Sequence, residues 1–325
     1  MFKNSSELNK RRENANLEFI KEHSKGMSEE QIKKFFLTVQ EERILYKYYE
    51  SKLFKFCQNF QPPMPKNVIG CSVQYFKRFY LNNSVMDYHP KDIIVTCVYL
   101  ASKVEEFNVS MSQFVANVKG DREKATEIIL NHEHLLMKQL NFDLTIYNPH
   151  RAVEGFLIDI KTRYIELSEP ERLRPAIEEF LDKVQLTDAC FLYSPSQIAL
   201  AAISWGAIKF KESTDGYLSD IICEAHPDKL GYLREAIKTM FVMIKNEALH
   251  VIDPVRSSLE KKLEKCRNQE NNPSSSAYKR KLEELDEDDD TEPVKKYSKL
   301  LELVEEKILQ SDTVPQLGGF AMEIG

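Results

Sequence analysis

The sequence predicts an all-α protein: two successive five-helix bundles, a helix flanking each end, and a disordered charged tail. Three observations carry this. Ten glycines and thirteen prolines in 325 residues are too few for turn-dense β structure. Apolar residues recur at three- and four-residue steps through most of the chain before Asn271. Two stretches, one in each half, repeat the same order of features, with the most apolar helix third in both. The length allows about two domains, and 42% hydrophobic residues can fill their cores.

Residues 1–40 read as an N-terminal helix and arm, because Asn9 to Asn16 is polar and leads into Leu17, Phe19 and Ile20. The first bundle, 41–147, opens with Leu45, Tyr48, Tyr49, Leu53, Phe56 and Phe60, an amphipathic stripe broken by Pro62-Pro63-Met64-Pro65. Val68, Ile69, Val73, Phe76, Phe79 and Tyr80 mark its second helix. Pro90 opens the third, where its missing N–H costs nothing, and Ile93 to Val104 is apolar on most sides, as the centre of a bundle requires. A short fourth helix over 112–118 and a fifth over 123–140 complete the set.

The second bundle, 148–252, starts at Asn148-Pro149, read as N-cap and first residue. Its second helix is expected to begin at a capping box formed by Ser168 and Glu171. Its third begins at the same device in Ser194-Pro195-Ser196-Gln197 and continues Ile198-Ala199-Leu200-Ala201-Ala202-Ile203. A fourth is expected near 217–223 and a fifth over 229–249. A C-terminal helix follows at 253–270. From 271 to 325 the serine-rich linker, the acidic run Asp286 to Asp290 and the basic clusters predict a largely disordered tail. Lys279, Arg280, Lys281, Lys295 and Lys296 form a loose nuclear-localisation pattern.

The chemistry of many classes is missing. There is no phosphate-cradling glycine loop, no G-x-S-x-G and no H-E-x-x-H. His132 and His134 stand two apart on one helix and face different ways, so no metal site is expected. Neither a cofactor nor a catalytic residue is expected. The six cysteines form no C-x-x-C pair and sit among apolar residues, as reduced core thiols do. A net charge of −6 argues against a general nucleic-acid binder. No apolar run is long enough for a membrane span, and the first ten residues lack the apolar region of a secretory leader.

Several segments resemble the cyclin family. Tyr75-Phe76-Lys77-Arg78-Phe79-Tyr80-Leu81-Asn82-Asn83-Ser84-Val85-Met86 is similar to the second helix of a cyclin box and its exit. Leu100-Ala101-Ser102-Lys103-Val104-Glu105-Glu106 resembles the end of the third, and Glu133 in Asn131-His132-Glu133-His134-Leu135-Leu136 matches the acidic residue of the fifth. Phe107-Asn108-Val109-Ser110, Glu154 to Asp159 and Tyr193 to Leu200 are also similar, in the wording of the transcription-linked branch. The resemblance implies two tandem cyclin folds and a non-catalytic, nuclear regulatory subunit. The implied partners are a cyclin-dependent kinase of the CDK-activating type, a RING-finger assembly factor and the TFIIH core.

In this family the third and fifth helices of the first box hold the kinase. The resemblance therefore implies that Lys103 and Glu133 bind it, with Val104, Phe107 and Met137 as apolar contacts. Cell-cycle cyclins pair an arginine of helix one with an aspartate of helix two. The matching positions here are Glu42 and Lys77, with the charges reversed, so a sign-swapped pair is one expectation and loss of the pair the other. The M-R-A-I-L docking patch is reduced to Ile44 and Leu45. Two alternatives stand beside this reading: another transcription cyclin, such as that of the Mediator kinase, and a TFIIB-like adapter that binds DNA. The second needs basic faces, which this acidic chain does not show.

Overall fold

A computed structural model describes residues 2–167, 169–246 and 253–287. Those residues are helices, turns and loops, with no strand among them. Helix α1 (Ser5–His23) is followed by α2 (Glu29–Phe35). The first bundle comprises α3 (Val39–Gln58), α4 (Lys66–Phe79), α5 (Pro90–Val104), α6 (Met111–Ala116) and α7 (Arg122–Gln139). The second comprises α8 (Pro149–Arg163), α9 (Arg174–Val184), α10 (Ala189–Leu192), α11 (Pro195–Lys209), a π-helical turn (Tyr217–Ile222) and α12 (Leu230–Asn246). Two further helices follow, α13 (Asp253–Cys266) and α14 (Ser276–Glu287). No helix among the described residues is long and apolar enough to cross a membrane.

The third helix of each bundle is its axis, as its all-round apolar sequence demands. Helix α5 packs on α3, α4 and α7 and buries Ile93, Ile94, Cys97, Val98, Leu100 and Ala101. Helix α11 packs on α8, α9 and α12 and buries Ile198 to Ser204 without a break. The first core is rich in rings, with Tyr46 stacked on Phe76 and edges meeting among Phe56, Phe60 and Phe114. The second is mainly aliphatic, with Phe180, Trp205 and Phe241 grouped at one side. All six cysteines are free thiols and five are buried.

Charged residues fill the junction between the bundles. The Lys77 side chain is wholly buried. Its ammonium lies 3.0 Å from Glu50 and donates to the Thr187 carbonyl of the second bundle. Lys47 donates to the other Glu50 oxygen at 3.0 Å and to the Leu186 carbonyl at 2.8 Å. From α1, Arg12 grips Asp188 with two bonds of 2.7 Å. Burial alone pushes the Asp188 carboxyl up, but Arg12 outweighs it and holds the group below the usual carboxylate range. Burial lowers the Lys77 ammonium, and Glu50 more than restores it.

The sign-swapped pair is therefore not formed. Lys77 takes Glu50 as its partner, two helical turns beyond Glu42. Glu42 instead accepts from the Val85 N–H at 2.6 Å and from the Asn16 amide.

Other local expectations change as well. The second helix of the second bundle starts at Arg174, after a 3-10 turn over Pro170–Leu173. Glu171 pairs with the Arg174 guanidinium there, and Ser168, the other member of the expected capping box, lies outside the described residues. Asn148 stands at the N-cap of α8 without a side-chain capping bond; its amide donates to the Asn67 carbonyl at 3.3 Å. The Ser194 capping box is present in full.

The reading of 271–325 as a disordered tail gives way at its start. Residues 276–287 form α14, and Tyr278 is buried, its ring parallel to that of His132 at 6.3 Å. Lys279, Arg280 and Lys281 are exposed on this helix, whereas Lys295 and Lys296 lie outside the described residues. The end expected for the second bundle's fifth helix, 247–249, also lies outside them.

Candidate partner-binding site

Lys103 is the penultimate residue of α5, and its position depends on how that helix stops. Glu106 takes the left-handed conformation at φ 54°. The Phe107 N–H then reaches back to the Ser102 carbonyl at 2.9 Å, and the Glu106 N–H to the Lys103 carbonyl at 3.3 Å. This is a Schellman stop, which folds the residue after the turn back over the helix end. It sets Phe107 half-buried against the core, with its ring 6.4 Å from that of Phe60. Glu105 is fixed in the same turn, accepting from the Cys71 thiol at 2.9 Å. Burial first, and Glu105 second, push that thiol well up.

Glu133 lies midway along α7, which packs beside α5. The Lys103 ammonium meets its two carboxylate oxygens at 2.7 and 2.9 Å, bridging the helices. The two ends differ in exposure: Glu133 is 9% exposed and the Lys103 side chain 36%. The ammonium also sits 5.0 Å over the Tyr99 ring, which lies one turn back on α5. Sequence reasoning missed Tyr99; its i, i+4 spacing from Lys103 was the available signal. Val104 is exposed beside the pair, and Met137 is half-buried one turn beyond Glu133.

The end of α7 repeats the stop seen in α5. Asn141 and Phe142 have φ of 54° and 56°, and the Phe142 N–H donates to the Met137 carbonyl at 2.9 Å. Phe142 is left exposed near His134, with ring centroids 6.3 Å apart. His132 turns inward and bonds the Ile128 carbonyl, so the two imidazoles do not converge. The site is thus an intramolecular ion pair at a helix–helix edge, rimmed by apolar side chains. Such a pair can exchange internal bonds for charge-assisted bonds to another chain's backbone.

Known proteins share the two-bundle fold. The cyclin N-terminal domain profile matches residues 16–145 and the cyclin C-terminal domain profile residues 148–307. A chain in the structure of the CAK complex of Chaetomium thermophilum bound to ATP-gamma-S superposes with a TM-score of 0.74 at 24% identity, over 89% of this chain and 91% of that one. The probable cyclin-H of Echinococcus multilocularis is 34% identical over 75% of this chain and 79% of its own length. Cyclin-H of Xenopus laevis is 44% identical over 76% of this chain and 77% of its own. Both bundles are therefore cyclin boxes, and the chain belongs to the cyclin family.

Proposed function

We propose that this protein is the regulatory subunit of a CDK-activating kinase and that it grips the kinase through Lys103 and Glu133. The observation that carries the reading is the Lys103–Glu133 bridge, half out of the surface where α5 meets α7 in the first box. A monomeric cyclin-dependent kinase keeps its αC helix displaced. A kinase is active only when the αC glutamate pairs with the β3 lysine. A cyclin that binds the paired arrangement more tightly shifts the population toward it. The partner then performs the chemistry, on the activation loops of other cyclin-dependent kinases and on the RNA polymerase II C-terminal repeats. Val104, Phe107 and Met137 would supply apolar contact around the pair. The reading extends to a RING-finger assembly factor, the TFIIH core and a nuclear location. For the last, the exposed Lys279, Arg280 and Lys281 are a supporting feature.

The test is binding and activation of a purified CDK-activating-kinase catalytic subunit by the full chain carrying Lys103→Ala or Glu133→Ala. Removing one member of a pair that the kinase closes over should cost about 2–5 kcal/mol, or roughly 30- to several-thousand-fold in affinity. Lys161→Ala, exposed on the second box, is the control and should change little. Normal binding by both variants would put the kinase surface elsewhere. Loss of helical content in both would make the pair structural.

A further inference from the structure

The segment after α13 is tied to the first box residue by residue. The Asn268 N–H donates to the Met86 carbonyl at 2.7 Å, and the side-chain amides of Asn268 and Asn271 both donate to Asp87, at 2.8 and 2.7 Å. The chain then turns at Asn272-Pro273-Ser274, with the Ser274 N–H on Asn272 Oδ1 at 3.2 Å. Ser275 caps α14 by accepting from the Tyr278 N–H at 3.0 Å. Tyr278 next packs beside His132, the neighbour of Glu133. The strap thus runs from the loop before α5 to α7, which it meets at Lys124 and His132.

At the turn a polar cavity of about 190 Å³ opens beside Ser274. Lys91 enters it from the first turn of α5, Lys124 from the first turn of α7 and Arg267 from the end of α13. Two carboxylates share the cavity, and both face Arg267: Asp92 at 3.4 Å and Glu264 at 3.7 Å. His89 lines it as well, 3.7 Å from Glu264. The Ser274 hydroxyl is exposed, and its oxygen already holds the Lys124 ammonium at 2.6 Å. A nucleophilic hydroxyl thus stands accessible to solvent, in contact with one cation and beside two more. Three helix starts, those of α5, α7 and α14, surround it.

We propose that Ser274 is a phosphorylation site and that its phosphate fastens the C-terminal strap onto α7. In the modifying step a protein kinase brings a nucleoside triphosphate. The Ser274 oxygen bonds to the γ-phosphorus, the bond from that phosphorus to the bridging oxygen breaks, and the nucleoside diphosphate leaves. The hydroxyl proton passes to the kinase's base. A single neutral acceptor is replaced by a group of nearly two negative charges with three acceptor oxygens. Lys124 is already in place to receive it, and Lys91 and Arg267 border the same space. The positive end of α14 adds to the attraction. The gain is local to α14 and α7, so this proposal stands whether or not Lys103 and Glu133 bind a kinase.

The experiment uses the full chain with phosphoserine placed at position 274 during synthesis, beside the unmodified chain and Ser274→Ala. Backbone hydrogen exchange over 276–287 should slow about tenfold on phosphorylation. In Lys124→Ala that slowing should vanish, because the anchoring cation is gone. Unchanged or faster exchange in the phosphorylated chain would overturn the proposal, as would full slowing in Lys124→Ala. A second arm maps phosphate on the protein isolated from its own cells through a cell-cycle series. Fragment masses should assign it to Ser274. Its absence throughout, or its presence only on the capping Ser275, would overturn the assignment.

Discussion

The third helix of each cyclin box runs for fifteen residues from a proline at its first position, Pro90–Val104 in one and Pro195–Lys209 in the other. Both end in the same stop: Lys211 has φ 61°, and the Glu212 N–H reaches the Ala207 carbonyl at 2.9 Å. The frames match while the chemistry mounted on them does not. In the place of Lys103 the second box has Ile208, 61% exposed. The next residue, Lys209, pairs with Glu179 of α9 and not with the fifth helix. The N-cap is His89 in one box and Ser194 in the other. The first box carries a buried ion pair whose lysine reaches across to its neighbour; the second carries exposed pairs such as Arg174 with Glu154 and Glu171. A duplicated backbone therefore does not imply duplicated side-chain chemistry: among the described residues, a bridge from the third helix to the fifth is present in the first box and not in the second.

The largest expected break in this contrast is Lys77→Met. It leaves Glu50 with Lys47 as its remaining cation and the Thr187 carbonyl without its donor, and should cost about 2–4 kcal/mol in urea unfolding. Arg174→Ala, which opens the exposed pairs of the second box, should cost under about 1 kcal/mol. A more stable Lys77→Met chain would show that apolar packing joins the boxes as well as the ion pair does.

A smaller effect separates the caps of the two third helices by pH. Burial foremost, with Arg267 and Lys91 behind it, pulls the His89 imidazole down to about 3. Between that value and the unfolded value near 6.5, the unfolded chain holds a proton that the folded chain refuses. Stability from this group is complete above about pH 6.5 and falls by about 1.4 kcal/mol per pH unit below it. His89→Asn keeps an acceptor at the cap and should flatten the loss between pH 7 and 5, a window above that of Asp188. An unchanged slope would place the titrating group elsewhere. Ser194→Asn in the second box should leave the slope alone.

The smallest effect tests the sameness of the frames. Glu106→Gly and Lys211→Gly each place glycine where the backbone is left-handed. Relief of strain is partly offset by a freer unfolded chain, so each should gain under about 1 kcal/mol in thermal unfolding. Opposite signs at the two positions would mean that the matched helix ends carry different loads.

Much of the fold was legible because its signals are local. Pro90 and Pro195 announce helix starts, and the apolar runs behind them announce central helices. Helix α2 went unread because it buries no residue and so carries no stripe. Helix α14 was masked by its charges, since Tyr278 alone marks its docked face among the residues whose side chains are described. The junction was legible as to charge and not as to partner: Glu42 and Glu50 both lie on α3, and a sequence cannot say which one Lys77 meets. At the candidate site, Lys103 and Glu133 stand thirty residues apart and were found through family resemblance; their spacing alone is silent. Tyr99 was readable from its i, i+4 spacing to Lys103, whereas Phe142 depends on how α7 stops, which shows only in three dimensions.

The grip of Arg12 on Asp188 joins residues 176 positions apart. A ribosome adds about 5–20 residues each second, so on the order of ten seconds or more separates the appearance of the two. Through that interval the growing chain holds Arg12 without Asp188 and Lys77 without the Thr187 carbonyl. The first box emerges without Leu259, Leu263 and Cys266 of α13, which complete its apolar core, and without Asp188 and the Thr187 carbonyl, so its closure waits on the arrival of both. A pause or truncation between the boxes would leave a folded-looking half with the Arg12 guanidinium lacking its carboxylate, the kind of half-made product that quality control recognises.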